Sequence, residues 1–262
     1  MRFSRYIRDV LRRAKLEYKY FTKPKWTLNE VGEFWDSVPD YDHINENMYP
    51  YLRRFSNSWI LAKQYIGTNL MMLDIQSRTG KGTEFWSEKG VVKKSYLLDY
   101  SDRLIEIAKN RLDALDLDYE ISKTDKYELP FSDSMFDLVV SYETIEHVSN
   151  RALFIKELAR VMKKDGIMIL TCPNALWEPV HWISAIIGFN HSEGPHRFPK
   201  RSTLTKIFSH NQLAIEEENT TIVLPFNNKI SIRLDQYLEK YCPNFFLRTI
   251  CLRRTFVLSK MV

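Results

Sequence analysis

The sequence predicts an α/β fold, with a doubly wound parallel sheet and helices on both faces. Three observations predict it. Leu70 to Ile75 is a short apolar run with one acid, Asp74, near its end, and it passes into a turn holding Gly80 and Gly82 and then a helical stretch. A second strand, Ser95 to Leu98, ends on Asp99. Strand-like runs at 119–122, 136–141 and 167–171 then alternate with helical patterns, as repeated βαβ units require.

Composition narrows the class. The chain has 262 residues, enough for one α/β domain with additions, and its 44% hydrophobic and 27% charged residues are ordinary for a globular protein. Three scattered cysteines, Cys172, Cys242 and Cys251, show no metal spacing and imply a reducing compartment. No run approaches the ~18 apolar residues of a membrane span. Arginines interrupt the N-terminus, so it lacks the apolar centre of a secretory signal, while an organelle transit peptide stays open. The expected location is cytoplasmic, with peripheral membrane contact as a further expectation.

Charge is concentrated in one place. Residues 1–25 hold nine Lys and Arg against Asp9 and Glu17, a net +7 in a chain of +5, so the remainder carries −2. That body is not a basic nucleic-acid surface. In the arm, Phe3, Ile7, Val10, Leu11, Ala14 and Tyr18 recur at helical steps with cations between them, the pattern of an amphipathic helix. It can dock on the domain, lie on an anionic membrane or bind phosphate. The expected organisation is therefore an arm over 1–25 and one domain over 26–262.

The strand, turn and helix N-terminus after Ile75 form a site for the polar part of a nucleotide-like cofactor, because backbone N–H groups and the helix dipole favour a carboxylate or phosphate there. Asp99 follows at about the interval a ribose contact requires, and Ser101 caps the next helix. At the end of the fourth strand, a helix starting near Tyr142 would set Glu143, Glu146 and His147 on one face. Two carboxylates and an imidazole suit Mg²⁺, Mn²⁺ or Fe²⁺.

The order of these segments resembles the class I S-adenosylmethionine-dependent methyltransferases over roughly residues 45–220. The resemblance rests on LDIQSRTGKG, Asp99, Asp125 before Leu129-Pro130-Phe131, the FDLVV strand, Glu143-Thr144-Ile145-Glu146-His147-Val148 and the Asp165-Gly166 turn. It implies a Rossmann-like seven-stranded sheet whose last strands, 214–217 and 255–260, pair antiparallel. It also implies S-adenosylmethionine as cofactor, held by Asp74, Gln76, Arg78, Gly80, Asp99, Tyr100, Asp125, Ser141 and Tyr142. Asp99 would take the ribose and Asp125 the adenine amino group. The family places glycines where Gln76 and Arg78 stand: Arg78 would then pair with the methionine carboxylate, or the two side chains would block the pocket and leave a catalytically inactive binding protein.

The Glu-x-x-Glu-His pattern, with a later histidine in Gly194-Pro195-His196-Arg197-Phe198, resembles two metal-dependent branches, the quinone-precursor O-methyltransferases and the small-RNA 3′-end 2′-O-methyltransferases. Other members carry Glu-His-Val without a metal. On this reading Glu143, His147 and His196 are the catalytic candidates, and Glu146 joins them as a metal ligand. Trp35, Tyr41, Tyr49 and Tyr51 are candidates to line the acceptor pocket. The apolar insertion 175–199 reads as a lid, a membrane contact or packing against the N-terminal helices. The expected acceptor is a small, lipid-linked or glycan hydroxyl, with RNA the alternative and nucleic acid disfavoured by the acidic body.

Overall fold

The computed structural model describes residues 2–39 and 45–261. Among the described residues the helices α1 (Arg2–Thr22), α2 (Leu28–Asp36) and α3 (Tyr49–Ala62) come first. There follow β1 (Leu70–Ile75), α4 (Lys81–Glu88), β2 (Val92–Asp99), α5 (Asp102–Ala114), β3 (Tyr119–Lys123), β4 (Phe136–Tyr142), α6 (Arg151–Val161) and β5 (Met162–Pro173). The chain closes with α7 (Glu178–Ile187), α8 (Arg201–His210), β6 (Leu213–Thr221), α9 (Lys229–Tyr241), α10 (Asn244–Ile250) and β7 (Arg253–Lys260).

The seven strands run in the order β3-β2-β1-β4-β5-β7-β6. The first five are parallel, β7 is antiparallel to β5, and β6 is antiparallel to β7, so the Rossmann-like sheet with antiparallel last strands is present. Parallel strands covered on both faces need continuous apolar runs, and Leu138, Val139, Val140, Met168, Ile169 and Leu170 are all fully buried.

Register positions the site. Ile75 pairs with Leu98 on one side and Ser141 on the other, so the loops after β1, β2 and β4 leave the sheet side by side. Strand order reverses between β1 and β4, which is where an open α/β sheet forms its ligand crevice. The Gly80 turn holds φ +75, and a Cβ on Gly82 would sit 3.0 Å from the Asp74 carboxylate, so both glycines are required for α4 to start close to β1.

The N-terminal helices are tied to this edge. Thr27 and Glu30 form a capping box at the start of α2, and the preceding Trp26 donates its indole N–H to the His147 carbonyl at 2.6 Å. A Cβ on Gly32 would lie 2.0 Å from the Tyr100 carbonyl oxygen, so α2 rests directly on the backbone after β2. Asp36, at the other end of α2, accepts from Ser101 Oγ at 2.5 Å and from the Arg103 backbone N–H at 3.1 Å.

Candidate active site

At the end of β1 the chain follows an unusual path for its residues: Gln76 and Arg78 both have φ +53, the left-handed region glycine occupies without strain. The Gln76 side chain is 2% exposed, and neither its oxygen nor its nitrogen has a hydrogen-bond partner among the described residues. Arg78 crosses the crevice. Its backbone N–H donates to Asp99 Oδ2 at 2.7 Å, its guanidinium donates to the Glu143 carbonyl at 2.9 Å, and that guanidinium lies 4.6 Å from the centre of the Trp35 indole.

Asp99, expected to take the ribose, is fully buried at the end of β2, and its carboxylate is engaged by backbone. Beyond Arg78 it accepts from the N–H groups of Tyr100 at 2.7 Å and Ser101 at 2.9 Å. Burial pushes its pKa up to about 6 against these bonds. Asp74 stands behind it and accepts from Thr83 Oγ1 at 2.8 Å; burial, aided by the charge of Asp99, raises it to about 7.

The remaining cofactor candidates divide. Tyr100 and Ser141 are buried at the crevice, and their hydroxyls find no partner among the described residues. Tyr142 turns away: its hydroxyl accepts from the Trp86 indole at 2.7 Å and its ring packs 4.9 Å from Phe55. Asp125 is exposed on the loop after β3.

The helix expected near Tyr142 does not form. Tyr142 ends β4, Glu143 takes φ +51, and a single 3₁₀ turn, Ile145–His147, follows. The left-handed step carries the Glu143 carboxylate toward β7, where it pairs with Arg253, and toward α3, where Arg54 meets it at 3.0 Å. Burial alone would raise its pKa, and the charges of Arg253 and Arg54 outweigh that and hold it well below the usual carboxylate range. Glu146 shows the opposite: burial and then the charge of Glu143 raise it, and its Oε2 has no partner among the described residues.

His147 and His196 come near one another, ring centres 6.3 Å apart, but each bonds through Nδ1 to a carbonyl, of Pro195 at 3.0 Å and Gly194 at 2.9 Å. Burial lowers the pKa of both, that of His147 to about 3 with the help of Arg78. The expected metal quartet of Glu143, Glu146, His147 and His196 is therefore corrected. Among the described residues no group of three or more His, Cys, Asp or Glu could hold a metal ion, and Glu143 is held by two arginines.

What these elements enclose is a cavity of about 60 Å³ lined by Arg54, Arg78, Arg253, Glu143 and Glu146, with His181, His191 and Glu193 from the insertion side. It has room for a few water molecules, well short of the ~300–1,000 Å³ of small-molecule sites. Sequence reasoning missed Arg54, Arg253, His181, His191 and Glu193. Glu193 adjoins the Gly194-Pro195-His196 motif and was within reach of it; Arg253 reaches the site only through the pairing of β7, which leaves no local signal.

Of the acceptor-pocket candidates, Trp35 lies beneath Arg78 and Tyr51 packs 5.5 Å from Phe55, while the Tyr49 hydroxyl donates to Asp235 at 2.9 Å. Tyr41 lies outside the described residues. The insertion forms α7, which packs on α1: Arg13 Nε donates to the Ile186 carbonyl at 2.9 Å, and Phe21 meets Trp182 edge-on at 3.9 Å. The opposite side of α7, with Val180, Ile183 and Ile187, is exposed. No helix among the described residues is long and apolar enough to cross a membrane.

A fit to S-adenosylmethionine can be tested on the side chains. Unpartnered polar atoms of Gln76, Ser77, Tyr100 and Ser141 gather at the ends of β1, β2 and β4, the donor and acceptor set a polar nucleoside requires. The set fits; the cavity that Arg78 lines, about 60 Å³, is too small for the group.

Residues 73–170 match the model of a methyltransferase domain. The chain is 26% identical over 171 residues to the ubiquinone/menaquinone biosynthesis C-methyltransferase UbiE of Laribacter hongkongensis, covering 62% of this chain and 70% of that one. It is 28% identical over 168 residues to the ubiquinone biosynthesis O-methyltransferase of Bartonella quintana, covering 61% and 66%. It thus spans about two thirds of the length of these relatives. Among solved structures, the YcgJ protein of Bacillus subtilis superposes with TM-score 0.59 at 18% identity, over 80% of this chain and 98% of that one. The [4+2]-cyclase SpnF superposes with TM-score 0.66 at 15% identity, over 91% and 98%. With motif order, strand order and matched domain in agreement, residues 73–170 carry a methyltransferase domain, and the chain resembles the class I S-adenosylmethionine-dependent methyltransferases, those of quinone biosynthesis among them.

Proposed function

We propose that the protein transfers the methyl group of S-adenosylmethionine to an oxygen of a small, lipid-linked or glycan acceptor. The observation that carries the reading is the set of unpartnered buried polar atoms on Gln76, Ser77, Tyr100 and Ser141 at one sheet edge. A buried polar group without a partner costs about 1–3 kcal/mol, and a bound nucleoside offers the missing bonds. The bound cofactor supplies an electrophilic methyl sulfonium; the chain positions the two partners and excludes water. With Nδ1 directed at a carbonyl, His147 and His196 each hold an Nε2 without a partner among the described residues; that of His196 is the better placed to accept a proton from an acceptor hydroxyl, since burial and Arg78 hold His147 down to about 3.

The acceptor class is argued from surface character. The side of α7 turned away from the cationic α1 is apolar and exposed, and the two helices together suit a lipid-linked substrate met at a membrane surface, with a free small molecule or glycan as the other classes. An RNA acceptor fits less well, because the body outside the arm is net acidic.

A second reading, a methyltransferase-fold protein that does not take the cofactor, is favoured by one observation: Arg78 crosses the crevice to lie over Trp35, and the cavity it lines is only about 60 Å³. Calorimetric titration with S-adenosylmethionine separates the two. The first reading expects binding by the wild type, and about tenfold tighter binding by Asp36→Ala, which frees the end of α2 and increases the open fraction. Absence of heat with both proteins would establish the second.

A further inference from the structure

Strands β6 and β7 are antiparallel neighbours, paired up to Thr221 opposite Arg253. A turn of two to five residues would join such a pair. Instead 31 residues, 222–252, intervene, and they carry α9 and α10. The sheet does not need them.

The segment has an inner and an outer side. Inward, Asp235 accepts from the backbone N–H groups of Val223 and Leu224 and from the Tyr49 hydroxyl, and Glu239 accepts from Ile222 N–H and pairs with Arg53 at 2.9 Å. Both acids of the two helices are thus turned to the body. Outward, Ile230, Leu234, Tyr237, Tyr241 and Phe245 recur at steps of three and four, with Ile230 80% and Phe245 75% exposed. Lys229, Arg233, Lys240 and Arg248 are exposed beside them. A stripe of large apolar and aromatic side chains whose exposed charged neighbours are all cations is the surface that lies in an anionic lipid interface.

The stripe also continues the surface formed by α1 and α7. Trp177, just before α7, donates its indole N–H to the Ile250 carbonyl at the end of α10 at 2.8 Å, and Asn174 donates to the Thr249 carbonyl at 2.8 Å. Leu176 is exposed at this junction. We infer that the α9–α10 insertion is a bilayer-contacting surface that recognises anionic lipid headgroups. It extends the membrane contact proposed for α1 and α7 but stands on its own residues.

The test is co-sedimentation of the full-length protein with phosphatidylcholine vesicles, with and without phosphatidylglycerol. Wild type is expected to partition onto the anionic vesicles. Phe245→Ser/Phe246→Ser and, separately, Lys240→Glu/Arg248→Glu are each expected to weaken that partition by about tenfold or more without lowering the melting temperature. Arg5→Glu/Arg8→Glu/Arg12→Glu reads the arm alone. Loss of binding with the arm variant but not with the α9–α10 variants would overturn this inference and leave the arm contact standing. Equal partition of wild type onto both vesicle types would also overturn it. So would a dimer in sedimentation equilibrium that Phe245→Ser/Phe246→Ser dissolves, since the stripe would then belong to a second copy of the chain.

Discussion

The Asp99 carboxylate accepts the backbone N–H of Arg78 at 2.7 Å, so the residue the sequence offers for a ribose hydroxyl instead holds the adjoining loop in place. Asp36 at the end of α2 binds Ser101, two residues beyond it. The crevice is therefore closed from the loop below and the helix above by hydrogen bonds that share one turn of chain.

Gln76 carries two penalties, a left-handed backbone and a buried amide without partners among the described residues. Gln76→Gly removes both and leaves a small void. Net stabilisation of about 1–3 kcal/mol is expected from urea denaturation. A loss of stability would show that the side chain has a partner in solution.

Glu143 is the counter-ion of two arginines, each under a tenth exposed. Glu143→Ala leaves both uncompensated and is expected to cost about 3–5 kcal/mol, whereas the double variant Glu143→Ala/Arg253→Met recovers part of that loss. Thermal melts of the two proteins check the order.

Asp74 has a pH signature. Its folded pKa of about 7 lies above the ~3.9 of an unfolded aspartate, so the fold binds the proton more tightly than the open chain. The contribution is present in full below the unfolded value and is lost as pH rises through about 7, at most roughly 4 kcal/mol. His147, lowered to about 3, acts in the opposite sense below pH 6.5. The measurement is therefore the difference in melting temperature between wild type and Asp74→Asn. Wild type should lose ground to the variant from pH 4 to 8.

With Glu143 held by Arg54 and Arg253, removal of divalent ions should leave the protein unchanged. Equal melting temperatures and equal S-adenosylmethionine affinities with EDTA and with Mg²⁺ or Mn²⁺ are expected. A rise of several degrees with either ion would restore the Glu146, His147 and His196 site.

Much of the scaffold was legible because it obeys local rules. Leu70–Ile75 and the helix after Ser101 fall where apolar runs and caps place them, and Ser101 accepts from Leu104 N–H as a cap should. The order of the acids at strand ends carried the crevice and the family with it. Local rules failed at Glu143, where Glu-Thr-Ile-Glu-His has the spacing of a helical turn but a positive φ breaks it.

By itself the sequence determined the alternation of strands and helices, the cationic arm and the position of the cofactor loop, since each follows from period, capping or charge over a few residues. Tertiary structure alone decided that the loop is closed. The arginines that capture Glu143 come from α3 and β7, some ninety residues before it and more than a hundred after, and Trp35 reaches Arg78 across more than forty. Contacts between segments so far apart depend on how the sheet is ordered, and no local pattern of residues encodes that order.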